Sequence, residues 1–244
     1  MPIVQPPSFA ESVHGANGLG GVETPAPQGT FFHESAAELL VRSARSAPGE
    51  IDVLALGPLT NLALALGLEP RLPKLVRRVV VMGGAVRAPG NVTPWAEANI
   101  DNDPEAAEVV FAAGFDLTLV ALDVTMRTTA SAAWLDELKA IEGDRARMTS
   151  AFLDCYVDWY TGVFGTRQCA MHDPLAAAVL LDPDLVTAAV DVPIRVELKG
   201  EYTRGQTIAD LRPNADAFAD RPGVRLATEV NGEVFFARML DALR

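Results

Sequence analysis

Two short runs of apolar residues, each stopped by glycine, constrain this chain more than any other feature. Ile51-Asp52-Val53-Leu54-Ala55-Leu56 ends at Gly57-Pro58, and Arg78-Val79-Val80-Val81-Met82 ends at Gly83-Gly84. Runs of this length, apolar nearly throughout, suit strands buried on both faces of a parallel sheet. Parallel neighbours need crossover connections, usually helices, and helix signals flank both runs. Ser35-Ala36-Ala37-Glu38 has capping-box spacing: the Ser hydroxyl meets the amide three residues on while the Glu reaches back, opening a helix toward Arg45. A second helix is predicted to begin near Pro58. Asp103-Pro104-Glu105 caps a third, and Asp116 to Leu122 supplies another strand. The alternation predicts an α/β fold with an open, mostly parallel sheet and flanking helices.

Further along, residues 131–141 and 144–163 read as helices, the second with an apolar stripe at Met148, Phe152, Cys155, Tyr156 and Trp159 that core packing explains. Asp173 to Leu181 reads as a helix, Leu185 to Leu198 as strand, and Asn231 caps a terminal helix through Leu243. Residues up to about Gln28 are rich in Gly and Pro and read as loop. With no internal repeat and no low-complexity break, residues 1–244 read as a single domain.

Charge narrows the partners. A net charge of -12, with Lys and Arg nowhere clustered, argues against nucleic acid and anionic membrane surfaces. The two cysteines, Cys155 and Cys169, have no metal-ligand spacing and suit a reducing compartment. The amino terminus carries no basic region followed by an apolar stretch, and no segment approaches a membrane span, so cytoplasmic residence is expected.

Four ordered blocks carry the chemistry. They are His14-Gly15-Ala16-Asn17-Gly18-Leu19-Gly20-Gly21; Leu56-Gly57-Pro58-Leu59-Thr60-Asn61; Met82-Gly83-Gly84 with Gly90-Asn91 and Glu97-Ala98-Asn99; and His172-Asp173-Pro174-Leu175-Ala176. Each has a plain structural reading alone. Glycine pairs suit any tight strand-to-helix turn, and His-Asp-Pro suits a helix start with Asp173 as N-cap and Pro174 at the first helical position. Two of these blocks, at Leu56-Gly57 and Met82-Gly83-Gly84, and the region of Thr125 nevertheless fall at the carboxyl ends of predicted strands, where open α/β sheets bind ligands.

Taken together and in this order, the blocks resemble the nucleoside hydrolase family, enzymes that cleave the N-glycosidic bond of ribonucleosides with a bound calcium ion. The resemblance covers essentially the whole chain and implies hydrolysis to free base and ribose, as in purine and pyrimidine salvage. It implies His172 as the acid that protonates the departing base, and its presence is similar to the inosine- and pyrimidine-accepting branches. His14 would lie near the base, Met82 would pack its thioether on the ribose, Asn91 and Glu97 would grip the 5′-hydroxyl, and Asn99 the ring diol. Asp173 and the main-chain carbonyl of Leu56 would be calcium ligands, and homodimers or homotetramers would be the assembly. Family members open with a strand ending in Asp-x-Asp-x-Gly-x-Asp-Asp, and the sequence from Met1-Pro2-Ile3-Val4 has no such loop. The chain is therefore expected to be amino-terminally incomplete, without the first βαβαβ portion of the fold.

A reading from another class is a non-catalytic remnant or ribose- and nucleoside-binding protein. A nicotinamide dehydrogenase fails on sequence, because no Gly-x-Gly-x-x-Gly follows a first strand.

Overall fold

The computed structural model describes residues 1–213 and 217–244. Helices α1 (Glu11–His14) and α2 (Ala36–Ser46) precede strand β1 (Ile51–Ala55), and α3 (Thr60–Leu68) and α4 (Leu72–Leu75) lead into β2 (Val76–Met82). Next come α5 (Ala98–Asn102), α6 (Pro104–Ala112), β3 (Leu117–Val120), α7 (Leu122–Thr125) and β4 (Thr129–Ala130). They are followed by α8 (Ala132–Ala140), α9 (Asp144–Phe164), β5 (Cys169–Ala170) and α10 (His172–Leu181). The chain finishes with β6 (Val186–Val196), β7 (Thr207–Ala209), β8 (Gly223–Val230) and α11 (Gly232–Leu243). It divides into two compact units, one built from Met1–Pro7, Phe32–Thr125 and His172–Val230, the other from Ser8–Phe31, Met126–Met171 and Asn231–Arg244.

The first unit contains a six-stranded sheet in the order β1-β2-β3-β8-β6-β7. The first four strands run parallel; β6 is antiparallel to both β8 and β7. The sheet is mostly parallel, as the apolar runs predict. Val79, Val81, Leu117 and Leu119 join Ala37, Val41, Leu62 and Phe111 of the helices in one core. Val80 and Val120, which alternate with them, are equally buried, and α10 packs against β1, β2 and β3. Burial on both faces is why these strands read as continuous apolar runs.

Local signals place the helices. Ser35 Oγ accepts from the Glu38 amide at 3.3 Å, and Glu38 Oε2 accepts from the Ser35 amide at 2.7 Å, the reciprocal box expected at α2. Asp103 caps α6 by accepting from the Ala106 amide at 3.1 Å. It is fully buried, and its other oxygen accepts from Thr60 Oγ1 at 2.5 Å and the Ile3 amide at 3.0 Å. Gln5 Nε2 donates to the carbonyls of Asp101 and Asn102. The opening loop is thus fastened to the α5–α6 junction, and α1 interrupts the predicted irregular stretch.

Strand β8 is the longest of the elements that the sequence reading omits. It lies between β3 and β6, with Val224 and Leu226 buried and Arg225 exposed between them. The clamp beside it is ionic: Arg221 donates to Glu108 Oε1 at 2.6 Å, and Glu108 Oε2 accepts from the Val196 amide at 2.8 Å.

In the second unit α9 packs against α1 and α8, and β4 pairs antiparallel with β5. The buried residues of α9 are Ala146, Val157 and Tyr160, whereas Met148 is exposed. Phe152, Cys155, Tyr156 and Trp159 of the predicted stripe are half-buried, and Cys155 and Tyr156 meet the α1 segment through the Val13 carbonyl and the His14 ring. Asn231 accepts from the Val234 amide at 3.1 Å and caps α11 as predicted. Among the described residues, no helix is long and apolar enough to cross a membrane.

Candidate active site

The site is built from the carboxyl end of β2 outward. Gly83 and Gly84 follow Met82, and Gly84 has a φ of 79°, a left-handed conformation that favours glycine. A Cβ at Gly84 would also lie 2.8 Å from Thr207 Oγ1, so β7 closes over this turn. Glu97 is the N-cap of α5, and its carboxylate is buried between that helix and the glycine turn. Oε1 accepts from the Asn99 amide at 2.9 Å, while Oε2 accepts from the amides of Gly84 at 2.9 Å and Ile100 at 3.2 Å. A carboxylate offers about four acceptor positions, so three donors nearly saturate it.

Asn99 connects this capping arrangement to the strand end, its Nδ2 donating to the Met82 carbonyl at 3.1 Å and to Met82 Sδ at 3.5 Å. Asn91 sits on the exposed loop before α5, where its Oδ1 accepts from the Ala98 amide at 3.0 Å. Gly90 makes that loop possible: a Cβ there would overlap the backbone of Ala96 and Thr93. Met82, Glu97 and Asn99 are therefore linked by hydrogen bonds, and Asn91 is joined to the start of α5 next to them through Ala98. Asp123 adds a brace outside it, accepting from the amides of Val86 and Arg87 just beyond the turn.

His172 and Asp173 open α10. The helix starts at His172 rather than after Asp173, so Asp173 lies in the first turn and is not the N-cap. His172 Nδ1 is 2.6 Å from Thr125 Oγ1 at the end of α7. Burial pushes the Asp173 carboxyl up to about 6. Burial also pushes Glu97 up to about 6, against the pull of its three amides, and the negative charge of Asp173 adds to the rise. Two carboxyls that resist ionisation thus face the same region of the first unit.

His14 belongs to the second unit, where its ring stacks on Tyr156 at 5.5 Å with 12° between the planes. Its block is organised by Asn17, whose Oδ1 accepts from the amides of Leu19 and Gly21. Tyr156 in turn meets Tyr160 edge-on at 4.9 Å, and Tyr160 stacks on Phe164 at 5.3 Å. The sequence reading assigns Tyr156 to core packing and passes over Tyr160, Phe164 and the side-chain pairing of Thr125 with His172. Tyrosines four residues apart on one helix were the available signal for Tyr160.

Calcium asks for six to eight oxygen ligands. Of the residues expected to supply them, Asp173 is one carboxylate and Leu56, just past β1, offers one carbonyl. Glu97 is committed to amides. Among the described residues no three His, Cys, Asp or Glu side chains stand close enough to share a metal ion. This donor set does not fit calcium.

A mostly parallel sheet with glycine turns, a capped Glu-x-Asn and a His-Asp helix start near its strand ends makes an α/β protein with its candidate site at the carboxyl edge. The inosine-uridine preferring nucleoside hydrolase profile matches residues 1–237, and the chain belongs to that family. It is 38% identical over 239 residues to a probable uridine nucleosidase 2 of Arabidopsis thaliana, spanning 96% of this chain and 74% of that protein. It is 41% identical to uridine nucleosidase 1 of the same plant over 84% of this chain, but spans only 60% of that relative. A solved plant nucleoside hydrolase, the PpNRh1 enzyme, superposes with a TM-score of 0.90 at 29% identity, covering 97% of this chain and 75% of that one.

Proposed function

We propose that this protein hydrolyses the N-glycosidic bond of ribonucleosides, giving free base and ribose, with uridine and inosine as the first substrates to test. The observation that carries this reading is the linked group Met82, Glu97 and Asn99 at the end of β2, fixed by one buried carboxylate, with Asn91 fastened beside it to the Ala98 amide. Amide and carboxylate groups fixed in this way suit a sugar whose hydroxyls must each find a partner, and an analogue lacking one leaves a buried group unpaired. Asn99 and Met82 address the ribose ring, and Asn91 and the remaining acceptor position of Glu97 the 5′-hydroxyl.

In the reaction the C1′–N bond breaks with its electron pair going to the base, and water supplies the oxygen that bonds to C1′. His172 delivers a proton to the departing nitrogen, and the water's proton passes to solvent, so the products are base and ribose. Proton delivery of this kind contributes about two to four orders of magnitude, and only when the leaving group needs it. His172→Ala is expected to slow uridine and inosine by that factor while sparing a riboside with an activated aryl leaving group. Equal slowing of both removes His172 from this role. The free cysteines suit the reducing cytoplasm, and salvage of nucleosides is the process this chemistry serves.

The donor set around Asp173 favours a second reading, nucleoside binding without cleavage. Ribose release from uridine by the purified chain eliminates it; saturable binding with no release supports it.

A further inference from the structure

We propose that Thr207 is a positioning residue for the sugar-contacting group, holding the Gly84 turn so that its amide stays aimed at Glu97. The inference rests on the reading of that group as the ribose site. Thr207 opens β7 opposite Val196 of β6, and its neighbour Gln206 bridges to Ala96, the residue before Glu97. Gly205 lets the segment pass this close: its φ is 82°, and a Cβ there would lie 3.1 Å from the Ala96 side chain and from the Asp101 backbone. The side chain of Thr207 is buried against Gly84. A Cβ at Gly84 would meet not only the hydroxyl but the rest of that side chain, Cγ2 at 3.3 Å and Cβ at 3.4 Å. A Cβ at Gly83 would lie 3.2 Å from Glu97 Oε2 and 3.3 Å from Ile100 Cδ1. The two glycines are thus enclosed by Thr207 and by the start of α5.

Shape, not hydrogen bonding, carries this role. Thr207 Oγ1 is buried with no hydrogen-bond partner among the described residues, and an unmade bond in the interior destabilises rather than holds. What remains is a β-branched side chain, stiff at χ1 and set by its strand, that makes a fixed wall against the bare Cα of Gly84. The Gly84 carbonyl accepts from the Leu122 amide at 2.9 Å and its amide donates to Glu97 Oε2 at 2.9 Å. A glycine held by those two bonds alone keeps torsional freedom that a residue with a side chain lacks. Thr207 removes it. The effect passes from Gly84 to Glu97, whose other oxygen accepts from the Asn99 amide, and so reaches the group assigned to the sugar.

The test reads backbone amides and does not need turnover. Nitrogen–proton correlation spectra and hydrogen exchange of the whole ¹⁵N-labelled chain follow the three amides that donate to Glu97, those of Gly84, Asn99 and Ile100. Thr207→Val keeps the shape and should leave all three as in the wild type. Thr207→Ala removes the wall, so Gly84 should exchange faster by roughly tenfold or more, the size expected for losing a hydrogen bond to a charged acceptor, while Asn99 and Ile100 are unchanged. Uridine, titrated into the same samples, should bind more weakly to the alanine variant than to the valine variant. An unchanged Gly84 amide in Thr207→Ala overturns the proposal, as does a valine variant that behaves like alanine. Equal acceleration at all three amides also overturns it, since that is loss of stability and not of position, and so does a selective response at Gly84 with uridine affinity unchanged. Should the alanine variant fail to fold, Thr207→Ser decides in its place: it drops the methyl against Gly84, and the same selective change is expected. If Gly84 alone responds but the wild type binds no uridine, the ribose reading fails by itself and the Thr207 contact stands.

Discussion

At the scale of single residues, Glu97 does more than its place beside Asn99 suggests. One carboxylate satisfies three amides from two segments, and an unmet buried amide costs roughly 1–3 kcal/mol. Glu97→Ala is accordingly expected to lower unfolding free energy by at least about 3 kcal/mol in urea melts, with Glu97→Gln falling between it and the wild type. A loss below about 1 kcal/mol would mean that water replaces the carboxylate freely. Asp173 makes a prediction of opposite sense. Its folded-state pKa is raised by burial to about 6 from an ordinary value of 3.8, so the protonated form is the one folding favours. Stability from this group is complete below the ordinary value and is lost as pH rises toward 6. Compared with Asp173→Asn, the wild type should lose roughly 2–3 kcal/mol between about pH 4 and pH 7, read from urea melts at both ends. A constant difference across that range would show that the carboxyl is better solvated than its burial implies.

At the scale of elements, the buried cap Asp103 joins α6 to α3 and to the opening loop through Ala106, Thr60 and Ile3. Losing an N-cap alone costs about 1 kcal/mol, so Asp103→Ala should cost clearly more, roughly 2–4 kcal/mol with the two further donors stranded. Hydrogen exchange should quicken at Ile3 and in the first turn of α6 together; a change confined to α6 would refute the linkage. Legibility in the sequence follows the same physics. The capping box at Ser35, the Asp-Pro cap at Asp103 and the runs of β1 and β2 are local patterns, and each became an element with bounds close to those expected. Strand β8 was missed because its signal is weak: Val224 and Leu226 alternate with Arg225, and the run is framed by irregular chain. Helix α9 is legible in its bounds and in the half-buried stripe from Phe152 to Trp159, whereas the full burial of Val157 and Tyr160 depends on which segments lie alongside. For the site, Met82, Asn91, Glu97 and Asn99 stand out in the sequence through the family resemblance and not through any local pattern. The contact between Thr125 and His172 joins residues 47 apart, which no local pattern encodes.

At the scale of the whole molecule, a net charge of -12 draws divalent cations near without making a site for them. Diffuse attraction is screened beyond roughly 10 Å at ordinary salt, whereas tight calcium binding needs converging oxygens. Calorimetric titration of the purified chain is expected to give a Kd weaker than roughly 1 mM. Micromolar affinity would demonstrate that carboxylates now apart, Asp101 or Asp123 among them, converge when the ion is present. The position of β8 has a consequence for how the sheet comes into being. Synthesis runs from the amino end, yet β3 receives its second neighbour only from residues 223–230. Until those residues leave the ribosome, β3 presents a bare edge beside β1 and β2, and β6 lacks the strand that joins it to them. From the time β3 is made until residues 223–230 follow it, that edge must be shielded, so the sheet cannot close in the order in which its strands are synthesised.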